Sequence, residues 1–177
     1  MRELTPEQAL EVVRRLYEKD SRIREVVLRE VMSVLEAADL AEIADDVFCV
    51  LNLLDVHDLW DRSGAQRDGY FPPEEVAAEM MEEELEPFFE KVRRYCRLGM
   101  LIQAQTCCMG VLYGIYRFDY ESKTEFRQWA EGIPLECFQS LLDDWRKDTD
   151  DYSRKEMDVF LKGSSPKWVR YVLGKEG

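Results

Sequence analysis

One histidine, His57, serves a chain of 177 residues, and that scarcity closes several chemistries at once. A ferritin-like di-iron bundle needs two inward-facing Glu-x-x-His pairs, and the residue three before His57 is Leu54. Zinc hydrolysis, Ser-His-Asp catalysis and Cys-His catalysis all depend on the same imidazole. It lies among Asp55, Asp58 and Asp61, in a stretch that reads as solvated loop. Neither G-x-G-x-x-G nor G-x-x-x-x-G-K occurs, so there is no Rossmann or P-loop phosphate cradle. The five cysteines (Cys49, Cys96, Cys107, Cys108, Cys137) contain no C-x-x-C spacing and read as reduced, structural thiols. The opening MRELTPEQALEVV lacks the apolar core of a signal peptide, so a cytoplasmic address is expected.

Positive charge is also short. The chain carries 24 Lys+Arg against 37 Asp+Glu, a net charge of −13, and an acidic surface repels phosphate backbones, which argues against direct nucleic-acid binding. The 19 residues from Leu98 to Tyr116 hold no charge, nearly enough to cross a bilayer. Gln103, Gln105 and Thr106 interrupt this run and no aromatic belt flanks it, so the expectation is a helix buried in a bundle, not a membrane span.

What is present is helix signal from end to end, which predicts an all-α fold of roughly eight helices in antiparallel hairpins, forming a bundle or short α-solenoid. Residues 1–177 read as a single domain with a possible hinge loop over 55–73. Thr5-Pro6-Glu7-Gln8 is a capping box with proline at the first helical position, and that helix should stop near Lys19. A second helix carries Ile23, Val27, Val31, Val34 and Leu35 on one face, and Asp39 caps a third running to Leu54. Gly64, Gly69, Pro72 and Pro73 mark a long connection with one turn near Leu59-Trp60. A helix then runs from Pro73 to about Leu98, with a kink expected at Pro87, inner positions including Met80, Met81, Phe88 and Val92, and Gly99 as terminator. The uncharged segment follows as a central helix, whose Gly110 and Gly114 form a thin stripe for close approach of a neighbour. A short helix is expected from Thr124 to Gly132, a longer one from Pro134 to about Lys147, another after a Ser153–Glu156 capping box, and a last short one from Pro166 to Leu173.

Leu85 to Phe118, with Leu98-Gly99 between two helices, Ala104 one turn into the second and Gly110 beyond it, resembles a degenerate tetratricopeptide or HEAT-type helical hairpin. The resemblance implies a scaffold that binds other proteins through a groove.

The charge is unevenly placed. Residues 36–92 carry a net −14, whereas residues 93–118 carry +4 from Arg93, Arg94, Arg97 and Arg117 and contain no acid. A block of like charge this dense steers a cationic partner. The leading expectation is therefore a non-enzymatic protein-protein interaction module without a cofactor, presenting an acidic surface from about Glu36 to Glu90 to a basic protein or peptide. Candidate partner-binding residues are Glu79, Glu83, Arg93, Arg94, Tyr95 and Arg97. The arginines can equally form ion pairs with the acidic helix flank. A first alternative is a Mg²⁺-dependent hydrolase of a nucleotide or phosphate ester, with Glu79, Glu82, Glu83 and Glu86 on the metal and Arg93 or Arg97 on the substrate. Glu82-Glu83-Glu84-Leu85-Glu86 resembles the EExxE half of the Mg²⁺ motif in all-α nucleoside triphosphate pyrophosphatases, although residues 98–116 supply no acid for a second wall. A second alternative is an acidic mimic of nucleic acid.

Overall fold

In a computed structural model, residues 5–27, 39–67 and 69–174 are described. The chain divides into two compact units, residues 1–37 and 38–177. In the first, α1 spans Pro6–Lys19, and residues 21–27 are helical (α2). Thr5 closes the expected capping box: its Oγ1 accepts from the Gln8 N–H while the Gln8 side chain accepts from the Thr5 N–H. Val31, Val34 and Leu35, expected on the inner face of α2, lie outside the described residues.

The second unit is all-α around one central helix. Its elements are α3 (Leu40–Asn52), α4 (Val56–Arg62), β1 (Gly64–Gln66), β2 (Gly69–Phe71), α5 (Pro73–Arg97), α6 (Leu101–Glu121), α7 (Phe126–Trp129), α8 (Ile133–Lys147), α9 (Asp151–Ser164) and α10 (Val169–Val172). α6 is the charge-poor segment, and it buries residues over a broad arc of its surface, among them Ala104, Cys107, Leu112, Ile115 and Phe118. α3, α5, α8 and α9 pack around it. No helix among the described residues is long and apolar enough to cross a membrane.

The Gly110/Gly114 stripe seats α3. A Cβ at Gly110 would come 2.9 Å from the side chain of Ile43 and from the Leu40 carbonyl oxygen. Only glycine lets the two backbones approach this closely. The α5–α6 turn is equally specific. Leu98 caps α5, Gly99 adopts φ +70°, and the N–H groups of Gly99 and Met100 donate to the carbonyls of Cys96 and Tyr95. This is a Schellman closure, in which a left-handed glycine satisfies the orphan carbonyls of the helix end.

Several local expectations are corrected. The connection over 55–73 holds a seven-residue helix and a two-stranded antiparallel ladder pairing Gly64 with Phe71 and Ala65 with Tyr70. Strands of three residues are too short to produce a readable alternation. α5 continues as one helix through Pro87, so the helix does not break there, and the buried aromatic there is Phe89, with Phe88 half-buried. α9 is capped by Asp150, whose carboxylate accepts from the Ser153 N–H, so Ser153 lies inside the helix and caps nothing.

Candidate functional site

Among the described acids of segment 36–92, several are paired with arginines and others are left in excess. On the C-terminal half of α5, Arg93 bonds Glu86 at 3.0 Å and Glu90 at 2.9 Å and lies 3.6 Å from Asp144 of α8. Arg97 reaches Glu90 at 3.2 Å. These two bonds hold the Glu90 carboxyl below its usual range. Arg117 of α6 clasps Asp45 of α3 and Glu121, with its guanidinium over the Phe48 ring. Glu86, Glu90 and Asp45 are thus neutralised locally. Arg94 is exposed and forms no ion pair among the described residues, and Tyr95 is buried, 4% exposed, so it belongs to the core side of α5.

The N-terminal half of α5 keeps its carboxylates in excess. It packs against α4, and between α4, the end of α3 and α5 lies a cleft of about 230 Å³. Val50, Leu53, Leu54 and Met80 make its apolar lining, and Asp55, Asp58, Glu83 and Glu84 supply its carboxylates. Its one lining cation is Arg62, whose guanidinium bonds Glu83 at 2.8 Å. The bond to Glu83, with Asp58 and Glu79 nearby, raises the guanidinium's proton affinity. Local structure explains the placement. Asp55 caps α4, accepting from the His57 N–H at 2.8 Å, and Asp58 lies in the first turn, where carboxylates complement the helix dipole. Glu79 and Glu83, four apart, share a face of α5. Leu53 is 76% exposed at the rim.

The four glutamates of the metal alternative are divided. Glu83 is bound by Arg62 and Glu86 by Arg93. Glu82 and Glu86 instead line a groove of about 380 Å³ between α5 and α8, facing Glu136 above Cys137. Burial first, then Glu82 and Glu136, pushes the Cys137 thiol up to about 12. Among the described residues, no group of three or more His, Cys, Asp or Glu side chains could hold a metal ion.

Of the expected site residues, Glu83 lines the acidic cleft and Glu79 stands near its Arg62; Arg93, Arg94 and Arg97 stand further along α5. Glu83 to Arg97 is 14 residues, roughly 21 Å of helix. Sequence reasoning missed Asp55, Asp58, Arg62 and Glu84 as cleft residues. Arg62, one of three cations in the acidic segment 36–92, was the available signal. Comparison with family models, with curated proteins and with solved structures finds no match.

Proposed function

We propose that this protein is a non-enzymatic helical interaction module that takes a Lys- or Arg-rich segment of a partner protein into the cleft between α4 and α5. The supporting observation is Arg62: one guanidinium, seated on an apolar floor, faces more carboxylates than it can neutralise. It occupies the position a partner's basic side chain would take, in a cleft whose lining includes Leu54 and Met80, with its charged head bonded to Glu83 and near Asp58 and Glu79. The helical hairpin formed by α5 and α6 suits a scaffold of this kind.

The test is fluorescence anisotropy with a labelled Lys/Arg-rich peptide and its Gln-substituted control. Binding should weaken with salt, since exposed charge pairs are screened within about 8 Å at physiological ionic strength. It should drop at least tenfold in D58N/E83Q/E84Q and little in E86Q/E90Q. Equal losses in both variants, or no binding at low salt, would refute the cleft. A rise in melting temperature with Mg²⁺ together with phosphate release from a nucleotide would restore the hydrolase reading.

A further inference from the structure

At the other end of α6 lies a cavity of about 580 Å³, formed where α6 ends, α7 and the start of α8 converge, and the segment entering α10 closes over them. Its volume falls in the range of small-molecule sites, about 300–1,000 Å³. Its lining differs in kind from the acidic cleft. Arg127 is pinned on one wall, 2.6 Å from the Asp119 carboxylate, with its Nε donating to the Asp119 carbonyl at 3.1 Å. That charge is matched.

Two further cations line the cavity, together with one more carboxylate, Glu131. Lys167 places its ammonium 4.0 Å from the centre of the Tyr120 ring, and Arg170 lies 4.7 Å from that of Tyr171 while donating to the Tyr171 hydroxyl at 2.7 Å. Neither forms an ion pair among the described residues, unlike Arg93, Arg97 and Arg117. A ring face orients a cation without cancelling its charge. Behind them Trp168, 4% exposed, packs edge-on against Tyr116 and Phe138, which makes a rigid aromatic floor. Residues 163–174 contain no acid. In a chain of net charge −13, a concave aromatic site lined by three cations (Arg127, Lys167, Arg170) against two carboxylates (Asp119, Glu131) keeps a local positive excess, which calls for an anion.

We propose that the cavity lined by Asp119, Tyr120, Arg127, Lys167, Arg170 and Tyr171 binds a small aromatic oxyanion, a phosphate ester or a carboxylate. Lys167 and Arg170 take the oxyanion, Arg as a fork of parallel donors, and the ring body lies against the tyrosines and Leu135. The proposal is independent of the α4–α5 cleft, which shares no residue with it.

Two-dimensional ¹H–¹⁵N NMR titration of the full chain tests it, with phenyl phosphate, benzoate and inorganic phosphate as probes. Saturable shifts of the Trp168 indole and Arg170 signals are expected with phenyl phosphate or benzoate, with a Kd on the order of 1 mM or tighter. The tighter of the two identifies the oxyanion, and inorganic phosphate should bind more weakly than phenyl phosphate. K167M/R170Q, changed at two exposed positions, should melt as the parent does and bind at least tenfold more weakly. If that variant loses its fold, K167M alone gives the same readout. The proposal falls if neither aromatic probe saturates, if the variant binds as tightly as the parent, or if the shifts map to Asp58 and Glu84 instead.

Discussion

A Cβ on Gly114 would stand 2.6 Å from the Cβ of Val47 and 2.8 Å from the carbonyl oxygen of Ala44. The obstacle includes backbone, which cannot rotate away, so G114A must push α3 off α6. Overpacking of this kind costs about 1–3 kcal/mol. G110A should cost somewhat less, since its nearest approaches are 2.9 Å. Gly163 of α9 has nothing within 4 Å of its would-be Cβ, so G163A should stabilise by about 0.5–1 kcal/mol through helix propensity. Urea denaturation of the three variants checks the order; a neutral G114A would mean the helices separate without cost.

Removing Arg62 should separate the cleft's two roles. R62A removes the exposed ion pair with Glu83, and exposed pairs are worth at most about 1 kcal/mol, so stability should change little. Affinity for a basic peptide should rise several-fold, because the internal competitor for Asp58, Glu83 and Glu84 is gone. Anisotropy reads this directly, and a drop in affinity would show that Arg62 organises the cleft and does not merely fill it.

The thiols should react in the order of their burial. Cys49 is exposed, Cys96 half-buried, and Cys107, Cys108 and Cys137 buried. Burial raises the Cys96 thiol, lifts Cys107 to about 11 and Cys137 to about 12, and pushes Cys108 well up. At pH 8 a maleimide should modify Cys49 first, Cys96 slowly and the other three only on unfolding, as mass spectrometry will resolve. These folded-state values lie above the ordinary 9.0. The unfolded chain therefore loses its thiol protons first, and stability should fall as pH rises from about 9 toward 12. A variant with alanine at Cys107 and Cys137 should show a shallower alkaline decline.

The acid side has the opposite sign. Hydrogen bonds from Arg93 and Arg97 hold the Glu90 carboxyl below its ordinary 4.5, and Lys147 and the Ser153 N–H do the same for Asp144 and Asp150 below 3.8. The stability these groups contribute is present above those ordinary values and is lost as pH falls through the lower folded ones. Thermal melts from pH 6 to 2 should show the loss beginning below about 4.5. In 1 M salt the parts due to Glu90 and Asp144 should shrink, while that due to Asp150, a bond to backbone, should persist.

Helix starts and stops were legible because each is written in neighbouring residues. Thr5 with Gln8, Asp39 before Leu40, and Gly99 after α5 all act within one turn. The Gly110/Gly114 stripe was legible for the same reason, being a spacing on one helix. The Asp150 cap was misread because Ser153 and Glu156 also satisfy the capping-box pattern, and only the backbone decides which residue leaves the helix. The acidic cleft was half legible. Glu79 and Glu83 share a face of α5 by arithmetic, but Asp58 and Arg62 reach them only because α4 docks there. The cations of the second cavity were invisible, since Arg127, Lys167 and Arg170 come to line one cavity by packing alone.

The tight turn at Leu98–Met100 also sets an order of events. α5 and α6 are adjacent in the chain, so their mutual docking closes almost no loop, whereas α3 must return across some fifty residues of intervening chain to reach the glycine stripe of α6. The local pair can form early and then template the distant one. Substitutions at the α5–α6 contact, such as C96A, whose thiol stands near Cys107 and Cys108, should therefore slow folding, and V47A should chiefly speed unfolding, a difference that stopped-flow kinetics would resolve. The stripe of two glycines would then act as a late latch, governing how long the native state survives more than how fast it is reached.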